Sequence, residues 1–202
     1  MIVKICGMRQ AQNIREAETL RPSMMGFICW DGSPRNVIET PAYLPSCTRV
    51  GVFVEPRPDF VQTKVRELGL DRIQLHGNES PALCREIAAA TQLPVVKAIS
   101  VRRAEDIGLY RRYADIADML LFDTKCPGVG GSGHSFDWDI LQHYDGPLPF
   151  LLAGGIGPGD AERVRKFRHP RFAGVDLNSC FETSAACKDI ALLKQFINAL
   201  KR

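Results

Sequence analysis

Ile2-Val3-Lys4-Ile5-Cys6-Gly7 sets the pattern by which this chain is read: a short apolar, β-branched run that ends on a polar residue and a glycine. Seven further apolar runs follow, over 24–30, 49–54, 72–76, 95–100, 119–125, 149–155 and 174–178. They are nearly continuous rather than alternating in polarity, which marks strands covered on both faces, as in a parallel sheet. Their centres lie roughly 23 to 30 residues apart, the length that one strand, one helix and two loops require.

Between the runs, apolar residues recur at spacings of three and four, predicting helices over Gln10–Leu20, Pro58–Leu70, Pro81–Ala90 and Ile190–Leu200. Asp59, Ser80 and Asp160 are the expected helix starts. Pro41–Pro45 and Asp137–Gln142 leave room for a turn or two, and a helix is expected within Arg103–Tyr113. The pattern predicts an α/β fold, a single (β/α)8 TIM barrel with trimmed helices, forming one catalytic domain over residues 1–202. An open doubly wound sheet would show the same alternation; the even count of eight favours closure.

With 202 residues and 45% apolar content, the chain can bury one substantial core. The 26 Lys and Arg residues are scattered and the formal net charge is +3, which points to no nucleic-acid partner and suits a small anionic substrate. No apolar run approaches the roughly 20 residues that span a bilayer, and Met1 leads into a strand rather than a signal-peptide pattern, so a cytoplasmic protein without membrane association is expected. Seven cysteines, with no Cys-x-x-Cys among them, indicate neither a disulfide framework nor a zinc site. His134, His143 and His169 lack metal-ligand spacing, and no Walker or dinucleotide fingerprint follows the first strand, so no metal or organic cofactor is expected. Monomer and homodimer both remain open.

The active site of an eightfold barrel lies at the C-terminal ends of its strands. Cys6 closes the first run, where a neighbouring cation could favour its thiolate; the competing reading is a small buried hydrophobe. Asp123 closes Leu120-Leu121-Phe122-Asp123, where partial desolvation would suit a general acid; an N-cap or loop salt bridge is the alternative. Gly130, Gly131, Ser132 and Gly133 form a glycine-rich stretch suited to a substrate lid. Gly154 and Gly155 after the seventh run, with Ser179 and Cys180 after the eighth, stand where this fold holds phosphate on backbone N–H groups. Arg35 could grip a carboxylate, and His76 could orient a substrate.

Taken together, Lys4-Ile5-Cys6-Gly7, Ser33-Pro34-Arg35, Gln74-Leu75-His76-Gly77, Gly130-Gly131-Ser132-Gly133 with Phe136-Asp137-Trp138, Ala153-Gly154-Gly155 and Gly174-Val175-Asp176 resemble phosphoribosylanthranilate isomerase, in family order and from end to end. The resemblance implies a small-molecule phosphoribosyl substrate and a cofactor-free Amadori rearrangement in tryptophan biosynthesis. It assigns Asp123 as the acid that opens the ring, Cys6 as the base on the adjacent carbon, Arg35 to the anthranilate carboxylate and Asp176 to a sugar hydroxyl. Two departures stand out: Asn178-Ser179-Cys180 replaces Ser-Ser-Gly, and Ala185-Ala186 replaces Pro-Gly, which suggests weaker phosphate binding and a more mobile last loop. A sister barrel isomerase acting on a phosphoribosyl aminoimidazole would want an Asp where Cys6 stands. A non-catalytic phosphosugar-binding barrel is the reading from another class.

Overall fold

The computed structural model describes residues 1–124 and 138–201. Eight strands run β1 Ile2–Cys6, β2 Met24–Ile28, β3 Thr48–Phe53, β4 Arg72–Leu75, β5 Val95–Val101, β6 Met119–Thr124, β7 Phe150–Ala153 and β8 Phe172–Leu177. All neighbours are parallel, and β8 pairs back onto β1, with Ile2 opposite Gly174 and Lys4 opposite Asp176, which closes the barrel.

Successive strand residues point to opposite faces, so each strand feeds two cores. Met24, Val50, Val96, Ala98, Met119, Leu121, Leu151 and Ala153 pack inside the barrel. Ile5, Phe27, Phe53, Leu75, Ile99, Phe122, Leu152 and Val175 pack in the outer layer beneath the helices. Burying each such Leu, Ile, Val or Phe contributes about 1.5–3 kcal/mol, and burial on both faces is what erased any alternation from the sequence.

The helices are α1 Ala11–Glu18, α2 Pro58–Leu68, α3 Pro81–Thr91, α4 Ala104–Ile107, α5 Ala161–Lys166 and α6 Ile190–Leu200. Ser80 starts α3 as expected, its Oγ accepting from the Leu83 N–H at 3.2 Å. Asp59 does not start α2: Pro58 takes the first helical position, where a missing N–H costs nothing, so Arg57 becomes the cap and Asp59 pairs with it. Asp160 precedes α5, but its carboxylate accepts from the Gly157 N–H at 2.7 Å and closes the 3₁₀ turn Pro158–Asp160. Asp189 caps α6 through the Leu192 N–H at 2.9 Å.

The trimming goes further than expected between β2 and β3, where residues 41–45 hold a single bend at Ala42 and no helix. Trp138–His143 is 3₁₀, and the 103–113 stretch divides between α4 and the 3₁₀ turn Gly108–Arg112. Among the described residues no helix is long and apolar enough to cross a membrane.

A buried ion pair in the outer layer fixes the rim of the barrel. Lys97 Nζ lies 3.0 Å from Glu79 Oε2, with side chains 2% and 0% exposed. The ammonium donates to the carbonyls of Leu75 (3.1 Å), Gly77 (2.8 Å) and Ala98 (2.8 Å). Glu79 Oε1 accepts from the N–H groups of Gly77 (2.9 Å) and Glu55 (3.0 Å). Together they tie down the ends of β3, β4 and β5, and with them the segment that carries His76.

Candidate active site

At the C-terminal ends of the strands a cavity of about 480 Å³ is lined by Cys6, His76, Asp123, Gly154, Gly155, Asp176, Ser179 and Cys180, among others. Every sequence-predicted catalytic and phosphate residue therefore faces one space. Arg35 does not line it, and Gly130, Gly131, Ser132 and Gly133 lie outside the described residues.

Cys6 and Lys4 are two residues apart on β1, so both point into the barrel. The thiol is 4% exposed and the lysine 1%. Lys4 Nζ donates to Asp176 Oδ2 at 2.8 Å across the β1–β8 seam, while Asp176 Oδ1, also buried, has no hydrogen-bond partner. Burial pushes the Cys6 thiol up from its ordinary value, with Lys4 and Lys188 pulling against it and Asp176 adding to the rise. Burial also works against the charge on Lys4, but Asp176 and then Cys6 more than offset it and hold the ammonium above its ordinary range.

Opposite stands a polar chain. The fully buried Gln74 donates through Nε2 to His76 Nδ1 at 2.9 Å, which leaves the ring proton on Nε2, 3.3 Å from Asp123 Oδ2. Asp123, at the end of β6 and beside Ser100 and Ala153 in the ladder, is partly exposed to the cavity. A carboxyl so placed can exchange a proton with a bound ligand while the imidazole N–H fixes one of its oxygens.

The last loop is a hairpin, β9 Glu182–Ser184 and β10 Cys187–Lys188. Ala186 sits at its turn with φ +66°, buried, and donates its N–H to Glu182 Oε1 at 3.2 Å. Glu182 in turn receives Arg35 as a fork, Nε to Oε1 at 2.9 Å and Nη2 to Oε2 at 2.6 Å, and Lys188 Nζ at 2.5 Å. Burial raises the Glu182 carboxyl, but the hydrogen bonds from Arg35 and Lys188 win and hold it below its usual range. Burial keeps Lys188 below its ordinary value, and Lys188 also donates to Asn178 Oδ1 at 2.7 Å. Arg35, expected to await a carboxylate, is therefore already oriented by Glu182, with Nη1 outside that pair. Gly7 explains the glycine after Cys6: with φ +76°, a Cβ there would stand 2.7 Å from Asn178 Oδ1 and 2.8 Å from Arg35 Cδ.

Gly154 and Gly155, at φ +90° and +67°, turn the chain after β7, and nothing lies within 4 Å of where a Gly155 Cβ would be. Ser179–Phe181 forms a 3₁₀ turn after β8. Cys180 is not among the residues with positive φ, so its replacement of glycine carries no left-handed backbone strain.

Lys4, Gln74, Glu182 and Lys188 were missed as site residues. A lysine within an apolar strand, two residues from Cys6, was a readable signal for the first; nothing local foretold that Glu182 would meet Arg35. Among the described residues no group of three or more His, Cys, Asp or Glu side chains is placed to hold a metal.

The family model for N-(5′-phosphoribosyl)anthranilate (PRA) isomerase matches residues 3–199. The chain is 47% identical over 203 residues to the N-(5′-phosphoribosyl)anthranilate isomerase of Phocaeicola vulgatus, covering 100% of this chain and 98% of that one. Its fold superimposes on the phosphoribosyl anthranilate isomerase of Thermotoga maritima with a TM-score of 0.84 at 32% identity, covering 100% and 99% of the two chains. A second solved isomerase, in complex with reduced 1-(o-carboxyphenylamino)-1-deoxyribulose 5-phosphate, gives a TM-score of 0.83 at 28% identity with the same coverage.

Proposed function

Since the chain belongs to the N-(5′-phosphoribosyl)anthranilate isomerase family, we infer that it converts N-(5′-phosphoribosyl)anthranilate to 1-(o-carboxyphenylamino)-1-deoxyribulose 5-phosphate in tryptophan biosynthesis, with Cys6 as base and Asp123 as acid. The observation that carries this reading is that a buried thiol and a carboxyl face each other's cavity from β1 and β6, with the Gly154–Gly155 and Ser179–Cys180 loops at its rim.

Asp123 gives its proton to the furanose ring oxygen as the bond from that oxygen to C1 breaks, and the nitrogen lone pair forms the iminium. The His76 Nε2–H then steadies the new carboxylate. Cys6, as thiolate, removes the proton from C2, and its electrons neutralise the iminium to give the enolamine. Loss of the C2 hydroxyl proton and protonation at C1 yield the ketone, so the net change is an isomerisation. Cys6 ends with one proton more and Asp123 with one fewer, and exchange with solvent restores both.

Asp176 Oδ1 is the free acceptor for a sugar hydroxyl. Arg35, steadied by Glu182, presents its remaining edge to the anthranilate carboxylate, while backbone N–H groups of Gly154, Gly155, Ser179 and Cys180 hold the phosphate. A reducing cytoplasm suits a thiol base. The test is fluorimetric: substrate generated in situ loses its anthranilate emission when the enzyme is added. A protein with native circular dichroism that leaves the emission unchanged refutes the assignment.

A further inference from the structure

We propose that Lys4 is the positioning residue that makes Cys6 a usable base, its buried ammonium supplying the positive charge beside which the thiolate forms. The proposal rests on the reading of Cys6 as the base.

A lysine inside a barrel is expensive. Desolvating an ammonium costs several kcal/mol, and an apolar side chain at the same place would pack without that cost. Lys4 is 1% exposed, and its ladder partner on β2 is Met24, one of the apolar residues that fill the barrel. Its position sets it beside the thiol as well as beside Asp176. Both groups lie against Gly26, where a Cβ would sit 2.6 Å from Cys6 Sγ and 3.2 Å from Lys4 Nζ, so the absence of a side chain there lets sulfur and ammonium stand side by side. Of the three ammonium N–H groups, one is taken by Asp176 Oδ2.

Other charges also face Cys6. Asp176, from β8, opposes ionisation. Lys188 from β10 favours it, and Arg35 from the β2–β3 connection also faces the thiol, but the two share Glu182, whose single negative charge offsets half of theirs. Lys4 acts on the thiol more strongly than Asp176 does. The pair also gives substrate a handle on the base. A sugar hydroxyl donating to the unpartnered Asp176 Oδ1 draws negative charge away from the sulfur and leaves more of the ammonium's field on it.

Two readouts test this. The first is the acid limb of the pH profile of kcat/KM; the second is the pH dependence of Cys6 alkylation by iodoacetamide without substrate, followed by mass spectrometry of the Cys6 peptide. Lys4→Gln should move both limbs up by at least one pH unit, with kcat/KM at pH 7 down tenfold or more and the deficit shrinking as pH rises. Lys4→Arg, which keeps the charge, should restore the wild-type limb to within about half a unit. Should Lys4→Gln not fold, the neutral pair Lys4→Met with Asp176→Asn removes both buried charges, and the alkylation limb should still rise because the stronger influence has gone. Limbs that stay in place in a folded protein lacking the Lys4 charge overturn the proposal. A Cys6→Ser enzyme that keeps turnover overturns the base assignment beneath it, so the two failures are told apart.

Discussion

Replacing Lys97 with Met removes the cation from a pair that is closed to solvent, and its cost follows from what remains. Glu79, with a side chain 0% exposed, keeps its charge with no counterion, and the carbonyls of Leu75, Gly77 and Ala98 lose their shared donor. Breaking a buried pair in this way costs about 3–5 kcal/mol, and in a domain of this size each kcal/mol moves Tm by about 2–4 °C, so Lys97→Met should melt about 6–20 °C below wild type at pH 7.

The sign of the pH dependence is also fixed. Burial raises the Glu79 carboxyl, but Lys97 and the backbone N–H groups outweigh it and hold the folded value below the ordinary 4.5. Its stabilisation is complete above 4.5 and is lost as pH falls through the lower folded value. Without Lys97, burial dominates and the folded value rises, so the gap between variant and wild type narrows as pH is lowered from 7 toward 4. Adding Glu79→Gln should recover much of the lost stability, because it removes the stranded charge while keeping an acceptor for the Gly77 and Glu55 N–H groups. Urea unfolding at pH 7 and pH 4.5 measures both effects. A Lys97→Met protein within 1 kcal/mol of wild type at pH 7, or a deficit that grows on acidification, refutes this account of the pair.

Cys6→Ser should keep the wild-type melting temperature to within a few degrees, the change being nearly isosteric, while turnover at pH 7 all but disappears because a hydroxyl does not ionise there; activity within threefold of wild type contradicts it. Arg35→Ala should lower kcat/KM by roughly 30- to 150-fold, about 2–3 kcal/mol of charge-assisted bonding, mainly through KM; unchanged kinetics would remove Arg35 from the substrate. Cys180→Gly should leave inhibition by inorganic phosphate within about twofold, since Cys180 has no positive φ to relieve; tighter inhibition would show strain in that loop.

The sequence by itself determined the barrel and the strand ends at which the proposed acid and base stand. Eight apolar runs at one-strand-one-helix spacing were legible because burial on both faces is a local property, recorded residue by residue in the strands. Cys6 and Asp123 were legible because each ends such a run, and in a closed barrel the strand ends converge. Helix starts were read less well. Ser80 held, and Asp160 holds the N-cap position of α5 with its carboxylate turned to Gly157, but Pro58 displaced Asp59, since a carboxylate takes whichever N–H the chain brings near. Only the tertiary structure decided the charge pairing. Lys4 meets Asp176 across 172 residues and Arg35 meets Glu182 across 147, both because β8 returns to β1. No periodicity encodes such a meeting: hydrophobic pattern reports which face of a strand is buried, whereas the partner of a buried charge is fixed by ring closure and register, which bring together residues from opposite ends of the chain.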